Sequence, residues 1–163
     1  MLAIGGRLHM LDWLKRRHEC GNPCQICSAS CPVGAIDDEG KQALLGSAEA
    51  LLFPIDWPEP FGLVMIEAMA CGCQVIVANY GAPGDLADHG RGARVEMGSF
   101  DRMVDGFRLE MEACAEAPAN MAETAARAKS YADGYFPWAK KGEKTIDVYR
   151  ALLDGKSLDG LGY

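Results

Sequence analysis

The chain has 163 residues, 49% of them apolar and 24% charged, with a formal net charge of −7. That length suits one ordinary domain, so a two-domain enzyme read into it is expected to be incomplete, and the acidic balance disfavours nucleic acid and anionic membranes in favour of small-molecule or protein partners. Met1 to Met10 is broken by Gly5, Gly6, Arg7 and His9, and no run reaches the roughly 20 apolar residues of a membrane helix, so no stable membrane insertion and a cytoplasmic location are expected.

The first stretch is rich in cysteine and basic residues and gives way near Gly40 to alternating strand-like and helix-like segments. We read residues 1–40 as an irregular, ferredoxin-like arm and 41–163 as the α/β domain. Within the arm, Cys20, Cys24, Cys27 and Cys31 follow one another at spacings of three, two and three residues, with Pro32 after the last. Soft thiolates so close in sequence can wrap one metal centre. Reduced metal-free thiols, zinc and a [4Fe–4S] cluster are all compatible with the run. The chain's odd total of seven cysteines, without a signal segment, argues against a disulfide framework.

From Lys41 the pattern predicts a short helix over Gln42 to Glu49, then a buried strand over Ala50 to Phe53 stopped by Pro54. A loop with Trp57, Pro58, Glu59 and Pro60 leads to a helix that starts near Phe61 and ends at Gly72, where a left-handed residue suits the cap. Gln74 to Ala78 is the next strand. A Gly/Pro loop from Gly81 to Gly84, a helical turn around Leu86 and a third strand over Ala93 to Met97 follow. Ser99 is placed to cap a helix whose Phe100, Met103, Phe107, Met111 and Cys114 share one face. Helices over Ala119 to Tyr131 and Trp138 to Leu153 complete the chain as helical cover. Strand, helix, strand alternation predicts a partial Rossmann-like, three-layer parallel sheet. Three strands leave at least one open sheet edge, which a homo-oligomer would cover.

Glu59 and Glu67 are eight residues apart, the first just before the motif helix and the second within it. Amides of Phe61, Gly62 and Leu63 at the helix start would face an anion, with Gly62 permitting close backbone approach. Carboxylates accept pairs of hydroxyl donors, so Glu59 could hold a sugar and Glu67 a ribose with a diphosphate between them. For an arbitrary pair of glutamates, solvated surface charges would be the simpler reading.

The flanking residues reverse that. Glu59-Pro-Phe-Gly-Leu-Val-Met-Ile-Glu67, then Ala-Met-Ala-Cys-Gly72 and Val75-Ile-Val77, resembles the glutamate-pair motif of family 4 glycosyltransferases. Gly81-Ala-Pro-Gly-Asp85-Leu, Gly90-Arg-Gly92 and Phe136-Pro-Trp138 extend the likeness, which runs from residue 41 to about 153. The resemblance implies the C-terminal, donor-binding half of a GT-B enzyme, and a nucleotide diphosphate sugar as ligand. It makes Glu59 the catalytic candidate and Glu59, Phe61, Gly62, Leu63 and Glu67 the binding candidates. Cys73 and Gln74 depart from the family pattern, as does Asp85 where Glu is usual. The family's upstream phosphate-binding Arg and Lys and its acceptor domain have no counterpart in the expected elements, so two phosphates would meet two carboxylates without a compensating cation. One further reading makes Leu2 to Leu8 the first strand and Gly-Arg turn of this same domain.

Residues 1 to about 40, with Leu11-Asp-Trp-Leu-Lys-Arg-Arg17 and Cys20-Gly-Asn-Pro-Cys24, resemble a cytoplasmic segment of the membrane-bound regulatory flavoprotein associated with nitrous oxide reductase. There the run is half of a double iron–sulfur module. The resemblance implies an iron–sulfur electron-transfer module as the alternative function, and a non-functional fusion fragment is a third. His9, His18 and His89 lack catalytic neighbours. Cys71, Cys73, Met65, Met69, Met103 and Met111 read as core, and Lys140, Lys141 and Lys144 as a solvated helix face.

Overall fold

The structure is a computed structural model that describes residues 2–3 and 37–158. The four-cysteine run therefore lies outside the described residues, as do His9 and His18. The elements are β1 (Leu2–Ala3), α1 (Asp38–Ser47), β2 (Ala50–Phe53), α2 (Leu63–Ala70), β3 (Gln74–Ala78), α3 (Ala82–Ala87), β4 (Ala93–Val95), α4 (Phe100–Glu116), α5 (Pro118–Tyr135) and α6 (Trp138–Leu153). They form one four-stranded sheet in the order β1-β2-β3-β4. Strands β2, β3 and β4 are parallel, in register from Ala50 opposite Gln74 and from Ile76 opposite Ala93.

The alternation along each strand builds three layers. Leu51, Val75 and Val77 point to one face, where Met65, Ile66, Ala68 and Met69 of α2, Leu86 of α3 and Ala128 and Ala132 of α5 pack on them together with Leu45 of α1. Ala50, Leu52, Ile76 and Ala78 point to the other, under Phe107 of α4 and beside Ile55 and Val95. Successive strand residues face opposite ways, so β2 is apolar throughout and β3 is apolar after the buried Gln74, as a sheet covered on both sides requires. The helix start at Ser99 and the shared face of Phe100, Met103, Phe107, Met111 and Cys114 are as expected, with the Ser99 hydroxyl accepting from the Arg102 amide. Met65 and Met69 are fully buried.

Several elements differ from the sequence expectation. The sheet has a fourth strand: Leu2–Ala3 pairs antiparallel with Leu51 and Leu52 and lies along the edge of β2. The reading of Leu2 as the start of a strand is therefore right for its first two residues, but the strand runs against its neighbours. Helix α1 starts four residues before Gln42, because Asp37 caps it: its carboxylate accepts from the Gly40 amide at 2.8 Å, and Asp38 and Glu39 fill the first turn. These favourable contacts outweigh the helix cost of Gly40. The expected Gly81 to Gly84 loop is mostly helix, with Pro83 in the first turn of α3. Strand β4 ends at Val95, two residues early.

The last helix is less of a cover than expected. Only Ala151 of α6 is buried, while Trp138 (90% exposed), Ile146, Tyr149 and Leu153 share one exposed side. Helix α5, by contrast, buries Ala125, Ala128 and Ala132. No helix among the described residues is long and apolar enough to cross a membrane.

The two cysteines around Gly72 behave as core. Cys73 is fully buried, and burial, with a smaller contribution from Cys71, pushes its thiol up to about 11. We predict that Cys73 resists iodoacetamide in the folded protein at pH 8 and reacts on denaturation. Because the folded state keeps a proton that the unfolded chain releases, its contribution to stability is intact at neutral pH and is lost as pH rises from about 9 to about 11. Thermal melts across that range, compared with Cys73→Ser, check the sign.

Candidate functional site

The site candidates sit where β2 hands the chain to α2. Ile55 is buried just after the strand and the chain then turns outward through Trp57, Pro58 and Glu59. Helix α2 begins at Leu63, two residues later than the sequence suggests, because Gly62 adopts φ 78°, ψ 61°. Only a glycine takes that left-handed conformation without strain, and a helix cannot start through it. At its far end the helix closes as expected: Gly72 has φ 79°, the Cys73 amide donates to the Ala68 carbonyl and the Gly72 amide to that of Met69. The buried face of α2 is fixed by Met65, Ala68 and Met69, leaving Leu63 exposed and Glu67 half-buried.

Glu59 does not stand clear of the helix start. Its Oε1 accepts from the Gly62 amide at 3.2 Å and from the Phe61 amide at 3.5 Å, and its Oε2 accepts from Trp57 Nε1 at 3.2 Å. The expectation of three free amides is thus corrected: Phe61 and Gly62 already serve an anion, and that anion is a side chain of the site itself. A carboxylate is attracted to such amides for the same electrostatic reason a phosphate would be. The Glu59 backbone is tied to the next loop, since the Ala82 amide donates to its carbonyl at 3.3 Å. A Cβ on Gly81 would lie 2.9 Å from that same carbonyl oxygen, so the close approach of these two loops demands glycine.

Phe61 is pinned from the C-terminal side. Its ring meets Phe136 edge-on with centroids 5.7 Å apart, and Phe136 packs in turn against Tyr131 and Tyr135. Lys141 sits 3.7 Å from the centre of the Tyr135 ring and Lys140 donates to the Gly134 carbonyl, so these lysines brace the junction of α5 and α6 and do more than solvate a face. Arg91 completes the frame. It donates to the carbonyls of Leu86 and Asp85 at the end of α3 and stacks over Tyr131 at 4.2 Å. His89 is exposed, and nothing catalytic gathers around it.

The residue that sequence reasoning missed is Lys41. Its Nζ lies 2.7 Å from Glu67 Oε1 and 3.2 Å from Asp38 Oδ1. Glu67, and then Asp38, hold the ammonium above the usual lysine range against a smaller opposing effect of burial. Among the described residues, α1 thus supplies a cation beside Glu67. Only the helical phase of α1, with Leu45 and Lys41 four residues apart on one side, carried a signal of it.

Two helices and a loop thus present paired carboxylates, one on backbone amides and one on a lysine, at the carboxyl ends of parallel strands. This is where open α/β sheets bind ligands. The chain's fold is that of GT-B glycosyltransferases: Anabaena HepE, solved in complex with UDP-glucose, superposes with a TM-score of 0.64 at 23% identity, over 88% of this chain and 38% of HepE. The family profile described as "Glycosyl transferases group 1" matches residues 2–128, and the chain belongs to that family. Glycogen synthase of Mycobacterium tuberculosis strain H37Rv is 29% identical over 158 residues, which cover 95% of this chain and 36% of the enzyme. The chain therefore spans about a third of that relative's length. A short segment of 39 residues, 24% of this chain and 5% of the relative, is 64% identical to the regulatory protein NosR of Stutzerimonas stutzeri. Both resemblances read from the sequence are thereby found.

Proposed function

We propose that this chain forms the donor side of a sugar-transfer site that takes a nucleotide diphosphate sugar. In this reading Glu59 is the catalytic candidate and holds the transferred sugar. The amides of Phe61, Gly62 and Leu63 receive the diphosphate, and Glu67 accepts the ribose hydroxyls. The observation that carries it is the Lys41–Glu67 pair, which orders one carboxylate of the motif from a second helix; Glu59 lies on the Phe61 and Gly62 amides and would hand them to the diphosphate on binding. That HepE was solved with UDP-glucose supports the choice of ligand class. Transfer itself would need an acceptor side, which the rest of the length of the full-size relatives would supply. The domain division at residue 40 and a cytoplasmic location are part of the same proposal.

The test is calorimetric titration with UDP- and GDP-sugars, with Glu67→Ala as the control. Saturable binding that weakens at least ten-fold in Glu67→Ala is expected, since a charge-assisted pair of hydrogen bonds is lost. No heat at millimolar ligand, or affinity unchanged in the variant, would sink the reading.

The NosR likeness favours a second reading for residues 1–40. There Cys20, Cys24, Cys27 and Cys31 would hold a [4Fe–4S] cluster, a donor set of four thiolates being suited to it, which supplies one-electron transfer when bound. Among the described residues, no group of three or more His, Cys, Asp or Glu is placed to hold a metal. Anaerobically purified protein should contain iron and sulfide and show broad absorbance near 400 nm, lost in Cys24→Ser; colourless, iron-free protein after anaerobic reconstitution would exclude it. A homo-oligomer covering the sheet edge would show as a concentration-dependent melting temperature.

A further inference from the structure

Most ion pairs among the described residues join neighbours on one helix and are well exposed. Lys41–Glu67 differs in kind. It crosses from α1 to α2, spans 26 residues of sequence, and has the least accessible cation of the set, with 26% of the Lys41 side chain exposed. Leu45, one turn along α1, is buried against the core that also fixes α2, so the ammonium is presented from a rigid base.

The geometry is asymmetric. Lys41 engages only Oε1 of Glu67; Oε2 accepts no hydrogen bond among the described residues, and 40% of the side chain is open to solvent. A glutamate on a helix surface ordinarily samples several rotamers, and ordering it on a ligand has an entropic cost. Here the lysine already holds Oε1 and leaves Oε2 without a partner among the described residues. A vicinal diol offers two adjacent O–H donors, and a carboxylate held in this way accepts them on Oε2 and on the remaining lone pair of Oε1.

We propose that Lys41 is the positioning residue for Glu67, and that through it the site discriminates an intact ribose diol from a deoxyribose. The proposal rests on the donor-site reading above and deepens it by naming the residue that sets how selective Glu67 is for the ribose. Lys41 touches no ligand itself. Asp38 shares the ammonium at 3.2 Å.

The experiment is titration of the full chain with UDP and with 2′-deoxy-UDP, for wild type, Lys41→Met, Lys41→Gln and Lys41→Arg, with melting temperatures measured alongside. Wild type is expected to prefer UDP. Both neutral variants should weaken UDP binding roughly ten-fold while 2′-deoxy-UDP changes by less than about two-fold, and Lys41→Arg should restore most of the preference. The ratio of the two affinities reads only folded protein, so a partly unfolded variant does not mimic the result. Equal loss of both ligands, or a wild-type ratio retained in Lys41→Met and Lys41→Gln, would overturn the positioning role and leave the donor site standing. Absence of saturable UDP binding by the wild type would overturn both.

Discussion

Phe107→Ala is expected to lower stability by about 3–5 kcal/mol, a large part of the 5–15 kcal/mol that holds an ordinary domain together. The size follows from its position. Phe107 is the only buried residue of α4, is 1% exposed, and closes a cluster with Leu52, Ile55, Ile76 and Val95 on one face of the sheet. Phe100, Met103 and Met111 flank it on the same face, and their movement into the cavity would place the loss towards the lower end of the expected range. Gly106 lets α4 come close, since a Cβ there would stand 2.5 Å from Val95 Cγ1. The measurement is the urea midpoint of Phe107→Ala against wild type, with Phe107→Leu as a milder case. A loss below about 1 kcal/mol would mean that α4 is not the cover of that face. The proposed donor binding, on the opposite side of β2 and β3, should survive in conditions where the variant is still folded.

Glu59→Ala is expected to separate the two parts of the donor that the site is proposed to hold. In the structure the Glu59 carboxylate occupies the Phe61 and Gly62 amides that a diphosphate would need. A tethered anion competes at high effective concentration, so removing it should raise affinity for UDP several-fold. The same carboxylate is the group assigned to the sugar. UDP-glucose should therefore gain nothing beyond what UDP gains, and any wild-type preference for the sugar nucleotide should disappear. Loss of these two hydrogen bonds is expected to reduce stability by no more than about 1 kcal/mol, because the Phe61 and Gly62 amides are left to water. Parallel ten-fold losses for UDP and UDP-glucose would show that Glu59 only shapes the loop. Glu59→Gln, which keeps an acceptor but removes the charge, should fall between wild type and Glu59→Ala.

The glutamate pair shows how far a sequence carries the site. The residue types, their eight-residue separation and the glycine between them were legible because they lie on one continuous stretch around one helix. Their state was not. That Glu59 bends back onto its own helix start depends on the left-handed turn at Gly62, and that turn moved the helix start to Leu63. Lys41 was invisible as a site residue because its partner is 26 positions away and meets it only when α1 and α2 pack on the same face.

The sheet divides in the same way. Ala50–Phe53 and Gln74–Ala78 fall on the residues expected, since the apolar runs Ala50–Phe53 and Val75–Ala78, near Pro54 and Gly72, suit strands covered on both faces. Strand β1 carried a weaker signal: Leu2 reads as a strand start in one alternative only, and its antiparallel direction is set by the edge of β2 that it pairs with. By itself, then, the sequence determined the local periods: which stretches alternate, which turn, and which carry the carboxylates and thiols. Tertiary structure alone decided the pairings across distance: β1 on β2, Phe61 on Phe136, Lys41 on Glu67. The physical reason is that periodicity is written in neighbouring residues, whereas the energy of a long-range contact exists only after two separately formed elements have been packed against a common core.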